Sequence, residues 1–321
     1  MQGTAIIIGN MIGGITGGGG AILPTFFILG DGTIDGDNII DESGDFLVSE
    51  LAPDPAFTGL LDTYTGAAAG YSLRSLSSTY TGFAVKVQDN VGGATLDVGF
   101  DSNKELDTAA IAAYGGSNDV FVETWYDQSG SGNNAVQATT ANRPKIYDGT
   151  TGAVILENGK PAVQFDGSND TMVSVSAYTP SSSMAQILVV NGLSSSTDQI
   201  IGDNSDRKAG MALRIQSGNF NYFNGYTTGQ NTISITANSN QNLHFYGRDT
   251  SSNFYARLNG SETSSVITAI NTAAQNIYLG ARHDGTLALD GAIQEYILYL
   301  NSQSGNATGI ETNNNDFYSI Y

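Results

Sequence analysis

From Val154 onward, short runs rich in β-branched and aromatic residues alternate with Gly, Asn and Ser, at a spacing of about ten residues. The runs are Ala162–Phe165, Met184–Val190, Ala212–Gln216, Phe220–Phe223, Ile233–Thr236, Leu243–Arg248, Phe254–Leu258, Asn276–Gly280 and Ala292–Leu300. Such a series predicts an all-β, jelly-roll sandwich in which two sheets pack face to face and alternate residues point inward. Upstream, Val120–Tyr126 reads as a buried strand that carries the only Trp, Trp125, and Gly130, Gly132 and Asn133 supply the tight turn after it. Three segments read as short helices. Phe57–Leu76 starts as a helix and runs into a strand. Asp107–Tyr114 has Asp107 or Thr108 as N-cap and Gly115-Gly116 as its stop, and Ala307–Tyr318 is amphipathic and rich in Asn.

The first 56 residues have a different pattern. Residues 3–30 carry no charge and include Ile6-Ile7-Ile8, Gly17 through Gly20, Ile22-Leu23-Pro24 and Phe26 through Leu29. An apolar span of about 18–20 residues can cross a bilayer, but four glycines and a proline make a poor helix. A signal peptide would need a basic n-region, which is missing. The segment therefore reads as an assembly arm buried against a partner, with an internal strand pair and membrane contact as the other readings. Further on, Asp31, Asp35, Asp37 and Glu42 partly imitate an EF-hand loop, so Ca²⁺ is the one cofactor with candidate ligands. Ile39 occupies a ligand position and neither flank is helical, which favours solvated Asp-Gly turns. Pro53 and Pro55 set a boundary between residues 1–56 and a sandwich spanning 57–321.

Composition narrows the chemistry. The 321 residues carry a net charge of −19, with no Lys or Arg before Arg74, so a nucleic-acid backbone would be repelled. Forty Gly and sixteen Tyr suit a β-rich chain, and the absence of Cys removes disulfides and thiolate metal sites. Two His, His244 and His283, have no clustered ligands for zinc, and the Ser residues lack a matching base. The four glycines at 17–20 lack the Lys-Ser or Lys-Thr of a phosphate-binding loop.

One string goes beyond pattern. Tyr126-Asp127-Gln128-Ser129-Gly130-Ser131-Gly132-Asn133, followed by Gln137 and Arg143-Pro144-Lys145-Ile146, resembles the N-terminal β-sandwich domain of arabinofuranosidase B. It also resembles the related concanavalin A-like, laminin-G-like domains found in many bacteriophage virion proteins. Leu60 through Arg74, Tyr80-Thr81-Gly82, Val85-Lys86-Val87 and Gly159 through Gly167 extend the resemblance, and Gly309-Ile310-Glu311 with Tyr318 through Tyr321 resembles the way phage versions end. It covers residues 57–321.

The resemblance implies a concanavalin A-like jelly roll with a few short helices and an extended N-terminal arm. The resembled enzymes retain configuration, with a Glu nucleophile on a central strand. The counterpart here is Gly210 through Ile215, with Ala212 and Leu213 where an acid is required. The nearest upstream acids, Asp203 and Asp206, would sit well over about 10 Å away along an extended strand unless the chain folds back. The family's acid/base Asp corresponds to Asp284, which also reads as an Asp-Gly turn, and the family's paired cysteines are missing. The implied function is a non-enzymatic virion structural protein, a spike, fibre or tail component on the particle surface. It would be homo-oligomeric and held to other virion proteins by its arm. The alternatives are a module that binds host surface glycans through Asn204, Tyr222, Tyr226 and Asp284, and an active arabinofuranosidase.

Deleting residues 1–50 is expected to leave a soluble, folded sandwich that no longer enters its assembly. Unfolding of the truncated chain, or normal assembly without the arm, would contradict the arm's role.

Overall fold

The computed structural model describes residues 57–191, 199–203, 210–226, 229–250, 252–267 and 269–321, together with two strands near the N-terminus. The chain divides into two compact units, 1–57 and 58–321. In the first, β1 (Thr33–Asp35) pairs antiparallel with β2 (Asn38–Ile40), with Asp35 opposite Asn38. Two antiparallel strands separated by two residues agree with the Asp-Gly hairpin turn read from the sequence at this point. Asp31, Asp37, Glu42, the uncharged arm and the Pro53/Pro55 linker lie outside the described residues.

The second unit begins with α1 (Leu60–Thr63), β3 (Ala67–Ser72), β4 (Val85–Asp89), β5 (Leu96–Val98), α2 (Thr108–Gly115), β6 (Val120–Trp125) and β7 (Ala135–Val136). Short strands follow: β8 (Lys145–Asp148), β9 (Ala153–Val154), β10 (Leu156–Glu157), β11 (Lys160–Pro161), β12 (Val163–Asp166) and β13 (Met172–Ser174). The longer ones are β14 (Met184–Asn191), β15 (Gln199–Asp203), β16 (Met211–Gln216), β17 (Asn219–Tyr226), β18 (Gly229–Thr236), β19 (Asn242–Thr250), β20 (Asn253–Leu258) and β21 (Ser261–Val266). Then come β22 (Tyr278–Leu279), β23 (Asp290–Tyr299) and α3 (Ala307–Tyr318). The predicted second helix starts as read: Asp107 accepts from the Ala110 amide at 2.9 Å, and Gly116 caps the end at φ 57°.

Every pairing is antiparallel. One sheet, here sheet I, runs β21-β20-β19-β14-β23, with β3 and β12 both beside β23. The other, sheet II, runs β18-β17-β16-β15-β22-β13-β7-β6-β4-β5. Strand β8 pairs with both β12 and β6 and so links the two. Alternation along each strand assigns its faces. Met184, Leu188 and Val190 of β14, Tyr246 of β19, Tyr296 and Leu298 of β23, and Met211, Leu213 and Ile215 of β16 fill one cluster between the sheets. The opposite face of sheet I, with Ala185, Ile187, Val189, Phe245 and Ile297, packs under Leu60 and Leu61 of α1 and Ala307, Ile310 and Tyr318 of α3.

Trp125 lies in the inner cluster at 0% exposure, tilted against Tyr71 at 6.3 Å. Its indole N–H has no hydrogen-bond partner among the described residues, so the ring serves by its apolar area.

Under α3, Arg74 and Glu295 form a buried pair. Arg74 Nε and Nη2 donate to the two Glu295 oxygens at 2.9 and 3.1 Å, and Ser72 Oγ donates to Oε2 at 2.8 Å. The Tyr318 hydroxyl adds a bond at 3.2 Å, and the guanidinium lies 4.8 Å from the Phe317 ring centroid. Burial works against the Arg74 charge, but the Glu295 carboxylate outweighs it and raises its pKa. The pair ties β3, β23 and α3 together. Glu295→Gln is expected to cost about 3–5 kcal/mol in urea unfolding, because it leaves a buried guanidinium without its counter-charge. A loss below about 1 kcal/mol would show that α3 is held by apolar packing alone.

Candidate functional site

The turn after Trp125 was the sequence's most specific signal, and its side chains are engaged with backbone. Asp127 accepts from the amides of Gly70 (2.8 Å), Ser129 (2.9 Å) and Asn133 (2.9 Å) and from Ser129 Oγ (2.9 Å). Gln128 Oε1 accepts from Leu76 N at 2.7 Å, while Nε2 donates to the carbonyls of Ser72 and Arg74 at 2.9 and 3.1 Å. Tyr71 donates its hydroxyl to Asn133 O at 2.6 Å, and Tyr126 donates to Asp97 at 2.6 Å. Gly130 and Gly132 adopt φ 87° and 70°, which a side chain would strain. The string is a clasp that fastens the turn to β3 and its exit. Sequence read the turn correctly and missed what its polar residues hold.

The face of sheet II turned away from the inner cluster carries Ala212, which the sequence resemblance set against the enzymes' nucleophile. Since Met211, Leu213 and Ile215 fill the inner cluster, Ala212 and Arg214 lie on the other face of β16 with their partners Phe223 and Asn221 on β17, and all four are buried at 8% exposure or less. Arg214 stands 5.8 Å from the Phe223 ring centroid. Next to β16 runs β15, with Gly202 opposite both Leu213 and Leu279, and Asp203 opposite Tyr278 of β22. Asp203 therefore lies on the strand adjacent to the one carrying Ala212, and neighbouring strands are about 5 Å apart. This corrects the separation of well over 10 Å expected from an extended chain, because β15 and β16 are a hairpin pair and the chain does fold back. Tyr278, on the same outer face, meets the His283 ring edge-on at 6.3 Å.

Asp284 sits exposed at the tip that follows. It accepts from Thr286 Oγ1 at 2.5 Å and Thr286 N at 3.1 Å, and lies 3.4 Å from Arg282 Nη1. The Thr286 bonds lower its pKa, so it is ionised at neutral pH. A general acid needs the opposite shift.

No family model matches the sequence, and no curated protein matches it. Solved structures do. A GH54 α-L-arabinofuranosidase soaked with a cyclic sulfate inhibitor, and an arabinofuranosidase complexed with arabinofuranosyl-α-1,2-xylobiose, each align with a TM-score of 0.59 at 15% identity, covering 77% of this chain. The fold is that of the arabinofuranosidase sandwich. At this identity the likeness is one of fold alone, and the chain spans 62% of the length of those enzymes. The botulinum neurotoxin serotype D binding domain aligns more loosely, with a TM-score of 0.43 at 11% identity over 61% of this chain and 48% of its own, too distant to bear on function.

Of the expected glycan-binding residues, Tyr222 and Asp284 lie in different settings. Tyr222 points into the core at 0% exposure, its hydroxyl 2.8 Å from His244 Nδ1, and a sugar in solvent does not reach it. Tyr226 is the last residue of β17, opposite Gly229. Asn204 lies outside the described residues. Asp284 is at the surface beside His283, and with Tyr278 it makes a polar and aromatic group that alternation could have revealed: Tyr278 stands between buried Ile277 and Leu279. Among the described residues no cluster of His, Asp and Glu is arranged to hold a metal.

Burial pushes the His244 pKa from 6.5 down to about 3, so the folded protein holds a neutral ring that the unfolded chain would protonate. Between these values the unfolded state binds more protons, and stability is lost as pH falls through that window, by up to about 5 kcal/mol. His244→Asn keeps a hydrogen-bond acceptor for Tyr222 but cannot titrate. It should be less stable than the wild type at pH 7, and the stability difference between pH 7 and pH 4 should shrink by several kcal/mol relative to wild type. An unchanged difference in guanidinium unfolding would contradict the neutral, sealed ring.

Proposed function

We propose that this chain is a non-enzymatic, lectin-like sandwich that binds neutral glycans without cutting them, displayed outward on a phage particle. The observation that carries the reading is the group at and after β22, where Tyr278 meets His283 beside the exposed Asp284. On the sequence resemblance, the residue standing where those enzymes hold a nucleophilic Glu is Ala212, which is buried. Tyr278, His283 and Asp284 offer an aromatic edge and a fixed carboxylate of the kind that orients sugars. Support for binding over cleavage comes from Asp284, whose pKa its Thr286 hydrogen bonds lower rather than raise, the opposite of the shift that suits a general acid.

The particle setting rests on the sequence resemblance, and in it homo-oligomers anchored by residues 1–56 would raise avidity for a surface glycan. One observation favours the competing enzyme reading: Asp203 lies on the strand next to Ala212, so a second carboxylate could be drawn from a different strand.

Screening the full chain on a glycan array is expected to give binding to neutral saccharides, weakened about tenfold by Tyr278→Ala. Release of 4-nitrophenol from an aryl arabinofuranoside should not exceed buffer. Turnover abolished by Asp284→Asn or Asp203→Asn would replace this reading with that of a hydrolase.

A further inference from the structure

At one end of the sandwich, a cleft of about 460 Å³ opens between α1, the loop 77–80 and the turn 128–130. It shares no lining residue with the outer face of sheet II. Its size falls within the range of small-molecule sites. Leu61, Asp62, Ser78, Tyr80, Gln128 and Ser129 are among its lining residues.

The walls are fixed before any ligand arrives. Asp62 accepts from Gly59 N, Ser77 Oγ and Ser78 N, each at 2.7 Å. Burial raises its pKa, but these hydrogen bonds together outweigh burial and leave it lowered, so the carboxylate is ionised at neutral pH. The Gln128 amide is spent on Leu76, Ser72 and Arg74, which makes it floor rather than ligand. The Tyr80 hydroxyl donates to Phe83 O at 2.9 Å, and its ring meets Phe100 edge-on at 6.4 Å. Beside it Phe83, 47% exposed, leans on Tyr126 at 6.2 Å. An aromatic rim thus adjoins a cleft set with hydroxyls from Thr65, Ser78 and Thr79, all three exposed.

The lining contains no Lys, Arg or His. An anionic ligand would meet Asp62 without a counter-charge, in a chain of net charge −19. A purely apolar ligand would strip water from the carboxylate and hydroxyls. An ammonium would gain less than usual, because Asp62 already takes three hydrogen bonds from neutral donors. A polyhydroxylated ring suits the set: its hydroxyls exchange bonds with Thr65, Ser78 and Thr79 at the opening, above a carboxylate already held by its own loop, and its C–H face lies on Tyr80 or Phe83.

We propose that this cleft is a second saccharide site, which takes a neutral oligosaccharide end independently of the Tyr278 face. It rests on the glycan-binding reading above and adds a place that the sequence resemblance did not assign.

The test uses the full chain against an immobilised panel of arabinobiose, xylobiose, maltose and lactose, with sialyllactose and spermine as charged probes. Two variants act on the cleft: Tyr80→Ala removes the rim, and Ser78→Trp fills the opening from an exposed position that the core does not need. The expected result is that both lose about tenfold or more for at least one neutral disaccharide, whether or not Tyr278 is also replaced by Ala. Unchanged binding by both cleft variants, with loss in Tyr278→Ala, overturns the cleft and leaves the glycan-binding reading standing. Loss in the cleft variants only for spermine or sialyllactose overturns the assignment to neutral sugars. A wild-type chain that binds no saccharide overturns both. Circular dichroism on Tyr80→Ala separates a folding failure, in which case Ser78→Trp decides.

Discussion

The constraint on which the sandwich depends is the satisfaction of backbone groups where β3 leaves sheet I. At that point the chain turns from Ser72 through Leu76, leaves the ladder with β23 and keeps only an isolated bridge of Arg74 with Glu105 and a few single backbone bonds, and its residues are buried. Gln128 supplies three of the missing bonds from a turn more than fifty residues later, and Asp127 supplies the partner for Gly70. Buried backbone groups left unpaired would cost about 1–3 kcal/mol each. The same turn follows the strand that carries Trp125. One short segment therefore closes the core on one side and fixes the exit of β3 on the other. The Arg74–Glu295 pair stands two residues past β3 and binds α3 to the outer side of sheet I, so both devices act on a single stretch of chain.

The clasp also shows what so specific a motif does for the fold. Asp127, Gln128, Ser129 and Asn133 are all engaged in holding the turn and the strands around it. Rigid walls of this kind lower the entropic cost of binding without contributing contacts. On the proposed reading, the furanosidase sandwich here keeps its scaffold and its sugar-sized surfaces, with Ala212 in the place of the residue that would attack the substrate.

What could be read from sequence follows burial. Strands β14, β19 and β23 and the helix α3 fell where alternation or amphipathic spacing placed them, because one or both faces are packed and the apolar residues must repeat with the period of the element. Strand β21 was missed: Ser261 through Val266 lie at an edge with most side chains exposed, and nothing apolar marks them. Strand β15 was missed for a related reason, since it is short and runs into the acidic stretch Gly202-Asp203, which reads as a turn. That omission produced the wrong separation between Asp203 and Ala212. Tyr222 was misplaced by type: a Tyr on a strand near a family's site suggested a sugar platform, whereas the strand's period puts it in line with Phe220, toward the core. Partners distant in sequence, such as Gln128 with Arg74 or Glu295 with Arg74, leave no local signal.

The central claim is binding without cleavage on this fold, and saturation-transfer NMR of the intact protein with a neutral arabino-oligosaccharide tests it in one sample. The account predicts transfer from protein to sugar ring protons and an oligosaccharide spectrum that stays unchanged on prolonged incubation at neutral pH. The appearance of free arabinose resonances, or the absence of any transfer to neutral sugars, would contradict it.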